Sequence, residues 1–306
     1  MDIKTSLLTA IELLKQHKIK FPHLDAEILL SHVIKKPREY LLTHPEKQLA
    51  KIQIANYKFQ IAKRAKGKPV AYITGHKEFY GLDFYINKNV LIPRPETELM
   101  VDEALRITRN VERVTFIDAG TGSGCIIITL AKLLNRKSKI KNLKFFAADI
   151  SEPALTIARK NAKLHNVYKK IKFLHGNLLK PIINNFSIRQ SASRRSGQNS
   201  KFVITANLPY LTPAQIKNSP SIKHEPKLAL SAGQDGLKYY RQLFKQINQC
   251  LMVNNQCLIL IEIDPYQTIK IKQLIKKELA HSKIKIKKDL AGLNRLVIIN
   301  ITNDSE

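Results

Sequence analysis

The segment Phe116-Ile117-Asp118-Ala119-Gly120-Thr121-Gly122-Ser123-Gly124-Cys125 follows a strand pattern and opens a helical one. Its glycines let the backbone turn sharply and bring it close to a ligand. The spacing, D-x-G-x-G-x-G, differs from the dinucleotide fingerprint G-x-G-x-x-G, whose helix N-terminus grips a pyrophosphate. It is not a P-loop either, because no Lys-Ser/Thr follows the last glycine. Read alone, the loop is a ligand cradle or a tight strand-to-helix turn.

The residues around it extend the pattern. Val114–Ala119, Leu143–Asp149, Ile171–His175, Phe202–Ala206, Cys257–Glu262 and Leu296–Ile301 read as strands. Helical stretches fall near 123–135, 153–165, 236–252 and 266–280. Such alternation predicts an open α/β sheet, and ligands of such sheets bind at the carboxyl ends of the strands.

Three strand ends carry candidate chemistry. Asp149 closes the second strand, about 25 residues after the loop, where a carboxylate can accept both ribose hydroxyls of a nucleoside. The alternative is a helix-start carboxylate, since Ser151 can cap the next helix. Glycine loop and acid together predict a nucleoside ligand without a pyrophosphate, a description that S-adenosylmethionine meets. The third strand runs into Gly176-Asn177-Leu178. Asn177 is a candidate for the adenine edge and Leu178 for its face, against a plain Gly-Asn turn.

The fourth strand runs into Asn207-Leu208-Pro209-Tyr210, of the form [Asn/Asp/Ser]-x-Pro-[Tyr/Phe]. That pattern suits methylation of a planar nitrogen, whose delocalised lone pair makes it a poor nucleophile. Two acceptors on its N–H groups hold the nitrogen and favour pyramidal geometry as it attacks. The Asn207 side-chain oxygen and the Leu208 carbonyl are those acceptors, and Tyr210 offers a face to a flat substrate. Because the sulfonium is already activated, positioning does much of the work.

The N-terminal third has another character. Ile3, Leu7, Leu8, Ile11 and Leu14 are read as one helical face; Leu24, Ile28, Leu29, Val33 and Ile34 as another, with Pro22 in a first turn. A third, polar helix is expected from Pro45 to about Lys66. Tyr72, Ile73, Phe79, Tyr80, Phe84, Tyr85 and Ile86 are strand formers punctuated by Gly75 and Gly81, and predict a hairpin joining two domains. Ile182–Ser200, rich in Ser and Arg, reads as a solvated loop or low-complexity insertion.

The chain has 306 residues and a formal charge of +28. That charge suggests nucleic acid as a partner. The basic residues are mostly Lys, spread along the chain among many Ile and Asn, which suits compositional drift better than a focused patch. Binding of nucleic acid is therefore expected to be at most weak and non-specific. No apolar run approaches the roughly 20 residues of a membrane span, and no signal peptide is read at the N-terminus. Three cysteines without a C-x-x-C pair predict neither a disulfide framework nor a zinc site, and no metal is expected. The expectation is a reduced, cytoplasmic, monomeric protein.

Further segments carry a resemblance. Pro69–Gly75 and Glu78–Gly81, Leu91-Ile92-Pro93-Arg94-Pro95-Glu96-Thr97-Glu98, Glu225-Pro226 with Asp235-Gly236-Leu237, and Asp289-Leu290-Ala291-Gly292 with Arg295 occur in family order around the two motifs above. On these the chain resembles the release-factor glutamine methyltransferases (the HemK/PrmC type) along nearly its whole length. The resemblance implies an α/β fold, a Rossmann-like class I methyltransferase sheet with a small N-terminal helical domain joined by a β-hairpin. The implied division is 1–68 (helical, substrate-docking), 69–92 (hairpin linker) and 93–306 (methyltransferase). It implies methyl transfer from S-adenosylmethionine to the glutamine amide nitrogen of the Gly-Gly-Gln motif in peptide chain release factors. By the same resemblance Asp118, Gly120, Thr121, Gly122, Ser123, Gly124, Asp149, Asn177, Leu178 and Asn207 would hold the donor. Asn207, Leu208, Pro209 and Tyr210 would hold the glutamine, with Arg94 and Glu96 also on the substrate side. One departure stands out: the family usually has Asn-Pro-Pro-Tyr, and Leu208 replaces the first Pro, which loses a fixed φ. The rival readings are a ribosomal-protein glutamine methyltransferase, an adenine-N6 methyltransferase on DNA or RNA, and a non-catalytic nucleic-acid-binding protein on this fold.

Overall fold

The computed structural model describes residues 1–107, 111, 113–137, 142–185, 200–250 and 256–301. They form two compact units, Met1–His76 and Lys77–Glu306. No helix among the described residues is long and apolar enough to cross a membrane.

The first unit contains α1 (Ile3–Gln16), α2 (Pro22–Ile34), α3 (Arg38–Thr43), α4 (Lys51–Ala65) and α5 (Val70–Thr74). The Asp2 carboxylate starts α1 by accepting from the Thr5 N–H at 2.7 Å, a side-chain N-cap. Pro22 opens α2, where its missing N–H removes no helical bond. Ile3, Leu14, Leu29, Leu30, Leu41 and Tyr57 are buried at its centre. The Tyr57 hydroxyl donates to the Ala26 carbonyl at 3.0 Å, so its polar end is satisfied inside the core.

Several local expectations are corrected here. Leu8 and Leu24 are exposed; the buried stripe of α1 runs instead through Ile3, Ser6, Ala10, Ile11 and Leu14. The third long helix begins at Lys51, not Pro45, and α3 was not foreseen. Tyr72 and Ile73 are helical: α5 follows Pro69 and stops at Gly75, which is left-handed at φ +80°. Tertiary packing overrides their strand propensity, because Val70 and Ile73 pack against the helical core.

The hairpin is therefore shorter than expected, β1 (His76–Phe79) and β2 (Leu82–Tyr85). Tyr80 and Gly81 form its tip with φ of +53° and +68°, the sign pattern of a two-residue turn that matches strand twist. It is fastened within the second unit. Asn161 accepts from the Tyr85 N–H and donates to the Tyr85 carbonyl, both at 2.9 Å. The Glu98 carboxylate accepts from the Tyr80 N–H at 2.8 Å.

The second unit continues with α6 (Glu98–Ile107), β3 (Arg113–Ala119), α7 (Cys125–Lys137), β4 (Asn142–Asp149), α8 (Glu152–Leu164), β5 (Ile171–His175), α9 (Lys180–Asn185) and β6 (Ser200–Ala206). It ends with α10 (Pro213–Lys217), α11 (Lys238–Cys250), β7 (Gln256–Glu262), α12 (Thr268–Glu278), β8 (Ser282–Lys288) and β9 (Asn294–Ile301). The sheet order is β5-β4-β3-β6-β7-β9-β8. The first five strands are parallel, and β9 runs antiparallel to both β7 and β8. This is the class I methyltransferase arrangement of the Rossmann-like α/β class. The order reverses at the β3–β6 pair, the switch point where such sheets bind ligands.

Four elements of this unit were missed, α6, α9, α10 and β8, and α9 takes in the first residues of the stretch read as a loop from Ile182. β8 was legible, since Lys283-Ile284-Lys285-Ile286-Lys287 alternates with period two. In the Ser/Arg-rich stretch, residues 186–199 lie outside the described residues.

Candidate active site

The sequence places the glycine loop after β3 and Asn207 after β6. Because those strands are neighbours in register, with Asp118 opposite Thr205, both loops open at one edge. A cavity lies there, lined among others by Arg94, Thr97, Gly120, Thr121, Gly122, Ser123, Asp149, Asn177, Leu178, Asn207, Leu208 and Pro209. Residues from four strand ends and from the segment before α6 thus meet around one space. Gly124, Tyr210, Asp118 and Glu96 are not on that lining.

The loop needs its glycines for two reasons. Gly120, Gly122 and Gly124 all have positive φ, +76°, +55° and +82°, a region that L side chains rarely enter. At Gly124 an added Cβ would also sit 2.7 Å from Ile128 Cδ1 and 3.2 Å from Ala158. Gly124 thus packs closely against Ile128 of α7 and Ala158 of α8.

Asp118 sits below the loop, buried. Its two oxygens accept from Thr121 Oγ1 at 2.7 Å and Thr205 Oγ1 at 2.8 Å. It ties the loop to β6. Burial pushes its carboxyl up to about 6, against the two hydroxyl donors that favour the charged form.

Asp149 joins the glycine loop to the start of α8. One oxygen accepts from the Gly122 N–H at 2.8 Å and the other from the Ser151 N–H at 2.9 Å, while Ser151 caps α8. Each carboxylate oxygen has a second lone pair, and Asp149 lines the cavity. It can brace the loop and still accept hydroxyls from a ligand. Burial raises its pKa, opposed by the backbone donors of Ser151 and Gly122. Asn177 Nδ2 lies 3.4 Å from Gln242 Oε1, and Leu178, buried at φ +54°, lines the same space.

Around Asn207 the structure adds partners that sequence reasoning missed. Asn207 Nδ2 is 3.0 Å from both Thr97 Oγ1 and Glu262 Oε2. Thr97 Oγ1 donates to Glu262 Oε2 at 2.6 Å. The available signal was Glu262 itself, an acid ending an apolar strand beside the one that carries Asn207. Tyr210 leans back toward the same carboxylate, its hydroxyl 3.4 Å from Glu262 Oε1, and burial raises its pKa. The Tyr210 carbonyl accepts from Gln267 Nε2 at 2.9 Å.

Arg94 lines the cavity while its Nη2 lies 2.5 Å from Glu225 Oε1. The Ile92 N–H points at the other Glu225 oxygen, 3.4 Å away. This pair joins two of the family-like segments, Leu91–Glu98 and Glu225-Pro226. Glu96 is exposed on the short turn before α6. Asp289 and Arg295 pair at 3.1 Å across the β8–β9 turn, away from the lining. Among the described residues no group of three or more His, Cys, Asp or Glu side chains is placed to hold a metal ion.

Comparison with known proteins carries the family assignment. Residues 6–75 match the PrmC N-terminal domain and residues 110–191 a methyltransferase domain. The release factor glutamine methyltransferase of Bacillus anthracis is 35% identical over 280 residues, covering 90% of this chain and 91% of that protein. The chain belongs to the release factor glutamine methyltransferase family. The family member from Coxiella burnetii is likewise 35% identical, over 91% of this chain and 92% of its own. The hMettl16 catalytic domain superposes with a TM-score of 0.55 at 15% identity, over 80% of this chain and 83% of its own. That likeness shows the fold alone. The cavity brings together two of the loop's three glycines, the Asp149 carboxylate and the Asn207 amide.

Proposed function

We infer that this enzyme methylates the side-chain amide nitrogen of the glutamine in the Gly-Gly-Gln motif of peptide chain release factors. The donor is S-adenosylmethionine. The observation that carries the reading is that Asn207, Leu208 and Pro209 line the same cavity as the Gly120–Ser123 loop and Asp149. The donor supplies an electrophilic methyl carbon: as the amide nitrogen bonds to it, the carbon–sulfur bond breaks and the nitrogen releases one proton.

The chain's own residues supply position. Asp149 accepts from the ribose hydroxyls, the glycine loop lets the backbone approach the donor, and Asn177 and Leu178 take the base. Asp118 and Gly124 act by holding that loop. The Asn207 oxygen and the Leu208 carbonyl accept from the glutamine –NH2, while Pro209 and Tyr210 shape its slot. Arg94, held by Glu225, and Glu96 serve the substrate side. Such alignment, rather than a strong base, accounts for the acceleration. Residues 1–68 dock the release factor, in keeping with exposed Phe21, Leu42, Ile52 and Phe59. Residues 69–92 link, and 93–306 carry the transfer. The enzyme works as a cytoplasmic monomer, and its positive surface contacts nucleic acid weakly and without specificity.

The test is a labelling assay with radioactive donor, offering release factor, ribosomal protein and naked nucleic acid side by side. Label on the Gly-Gly-Gln glutamine is expected. Label on the ribosomal protein or on adenine would replace this reading, and absence of donor binding would remove the enzyme reading altogether. Asn207→Ala should keep donor binding and lose transfer by about 100-fold or more, the scale for removing one preorganised polar contact.

A further inference from the structure

Glu262 ends β7, beside the strand that carries Asn207, and the transfer described above makes no use of it. The side chain is buried, 2% exposed. Its Oε2 accepts from Thr97 Oγ1 at 2.6 Å, and Asn207 Nδ2 lies 3.0 Å from both oxygens. Thr97 has a single hydroxyl hydrogen, which points at Glu262, so toward Asn207 it can only accept. A carboxylate has no hydrogen to give. This corner therefore offers two acceptors and no donor, and the two hydrogens of Nδ2 match them. The orientation of an asparagine amide follows from its partners, and these partners admit one orientation. Oδ1 is turned the other way, and Asn207 is on the cavity lining.

Resting on the glutamine reading above, we propose that Glu262, through Thr97, is a positioning residue that fixes the Asn207 amide with its oxygen toward the substrate. A flipped amide would face the glutamine –NH2 with its own –NH2, donor against donor, and the acceptor would be lost. The carboxylate form is required, because a protonated Glu262 can donate to Oδ1 and accommodate the flip. The ionisable groups that face it come from several elements: Glu96 before α6, Cys125 on α7, Tyr210 after β6, Tyr240 on α11 and Arg295 on β9. Arg295 favours the charged carboxylate and Glu96 opposes it. Burial is the largest influence and raises the pKa, so turnover falls with acid at a pH above the ordinary carboxylate range.

The experiment uses the full chain, with release factor and S-adenosylmethionine both saturating, and reads kcat against pH. Affinity for S-adenosylhomocysteine is measured alongside by calorimetry. Glu262→Leu removes the acceptor pair, and Glu262→Gln keeps an acceptor oxygen but does not ionise. For Glu262→Leu we expect kcat to fall roughly 10- to 100-fold, the scale of a mispositioned reacting group, with donor affinity unchanged. For Glu262→Gln we expect a smaller loss and no acidic limb in kcat. At saturating donor that limb belongs to the enzyme–substrate complex, so Asp118 and Asp149 acting in donor binding do not mimic it. Wild-type kcat in Glu262→Leu, an equal loss of kcat and donor affinity, or a persisting acidic limb in Glu262→Gln would each overturn the proposal. Should Glu262→Leu fail to fold, the Glu262→Gln profile decides alone. A wild-type enzyme that fails to label release factor counts against the glutamine reading itself, whereas labelling with indifferent Glu262 variants counts against this proposal only.

Discussion

Gly236→Ala is expected to damage turnover from a position 26 residues past Tyr210 in the chain. Gly236 has φ +72°, and a Cβ built on it would lie 2.2 Å from Gln267 Nε2 and 2.3 Å from the Tyr210 carbonyl oxygen. Gln267 is buried, and its amide bridges the Tyr210 carbonyl at 2.9 Å and the Gly236 carbonyl at 3.1 Å. An alanine thus carries the left-handed penalty of about 1–2 kcal/mol. The contact must also be relieved. Withdrawal of Gln267 removes two hydrogen bonds at about 1 kcal/mol each, which brings the total to about 3–4 kcal/mol. Displacement of the Tyr210 backbone moves the end of the acceptor motif instead, and a shift of about 1 Å at a reacting group costs on the order of 100-fold in rate. Urea unfolding gives the stability loss, calorimetry with S-adenosylhomocysteine the donor affinity, and steady-state labelling of release factor the kcat. We expect lower stability and kcat with donor affinity retained. Gly292→Ala is the control for backbone strain alone, since its φ is +78°, nothing lies within 4 Å of the added Cβ and it is not on the cavity lining. A Gly236→Ala enzyme with wild-type kcat and less than about 1 kcal/mol of destabilisation would show that the short distances do not constrain this turn.

Two other perturbations test other parts of the site. Arg94→Ala leaves the buried Glu225 carboxylate without its cation. The loss should be about 2 kcal/mol, below the roughly 3–5 kcal/mol of a fully buried pair because Arg94 is a third exposed. A double-mutant cycle with Glu225→Gln that returns no coupling would remove the pair from the account. Asp118 gives a pH test. Its folded pKa of about 6 is above the ordinary value of 3.8, so its contribution to stability is fully present below about 3.8 and is lost as pH rises through about 6. The difference corresponds to about 3 kcal/mol. Urea midpoints at acid and neutral pH should diverge between wild type and Asp118→Asn by that trend; parallel pH dependence in both would contradict it.

The central sheet could be read from the sequence because its signals are local. Apolar runs of strand length, a glycine loop and acids at strand ends all lie within a few residues of one another, and β3, β4, β5 and β6 appear where the pattern puts them. The motif loops were legible for the same reason, since neighbouring parallel strands carry their ends to one edge. Side-chain partners were not legible. Thr97, Glu262 and Gln267 reach Asn207 and Tyr210 across separations of 52 to 110 residues. Only Glu262 gives a local hint, as an acid ending an apolar strand; Thr97 and Gln267 sit in ordinary short turns. Local propensity also misled where packing decided: Tyr72 and Ile73 look like strand and are helix. The roles read for Asp118 and Arg94 are of mixed origin. Their residue types pointed to the site, while their hydrogen bonds connect Asp118 to two threonines and Arg94 to Glu225.

Leu208 bears on how the acceptor loop is held. A proline there would fix φ through its ring, and leucine has no such restraint. Its side chain, however, is only 2% exposed and belongs to the core cluster that holds Ile117, Ile204 and Tyr240. Burying a leucine side chain is worth about 1.5–3 kcal/mol, comparable to the roughly 1–2 kcal/mol of backbone entropy lost when a residue is fixed. Packing can therefore restrain this residue about as well as a ring. It does so through a particular neighbour: a Cβ on Gly120 would come within 3.0 Å of Leu208 Cδ2. The acceptor loop thus rests on the first glycine of the loop after β3. A ring would set the Leu208 carbonyl relative to its own backbone, whereas this contact sets it relative to the glycine loop. On the proposed reaction those are the two groups whose separation matters, since one holds the nitrogen and the other the methyl donor.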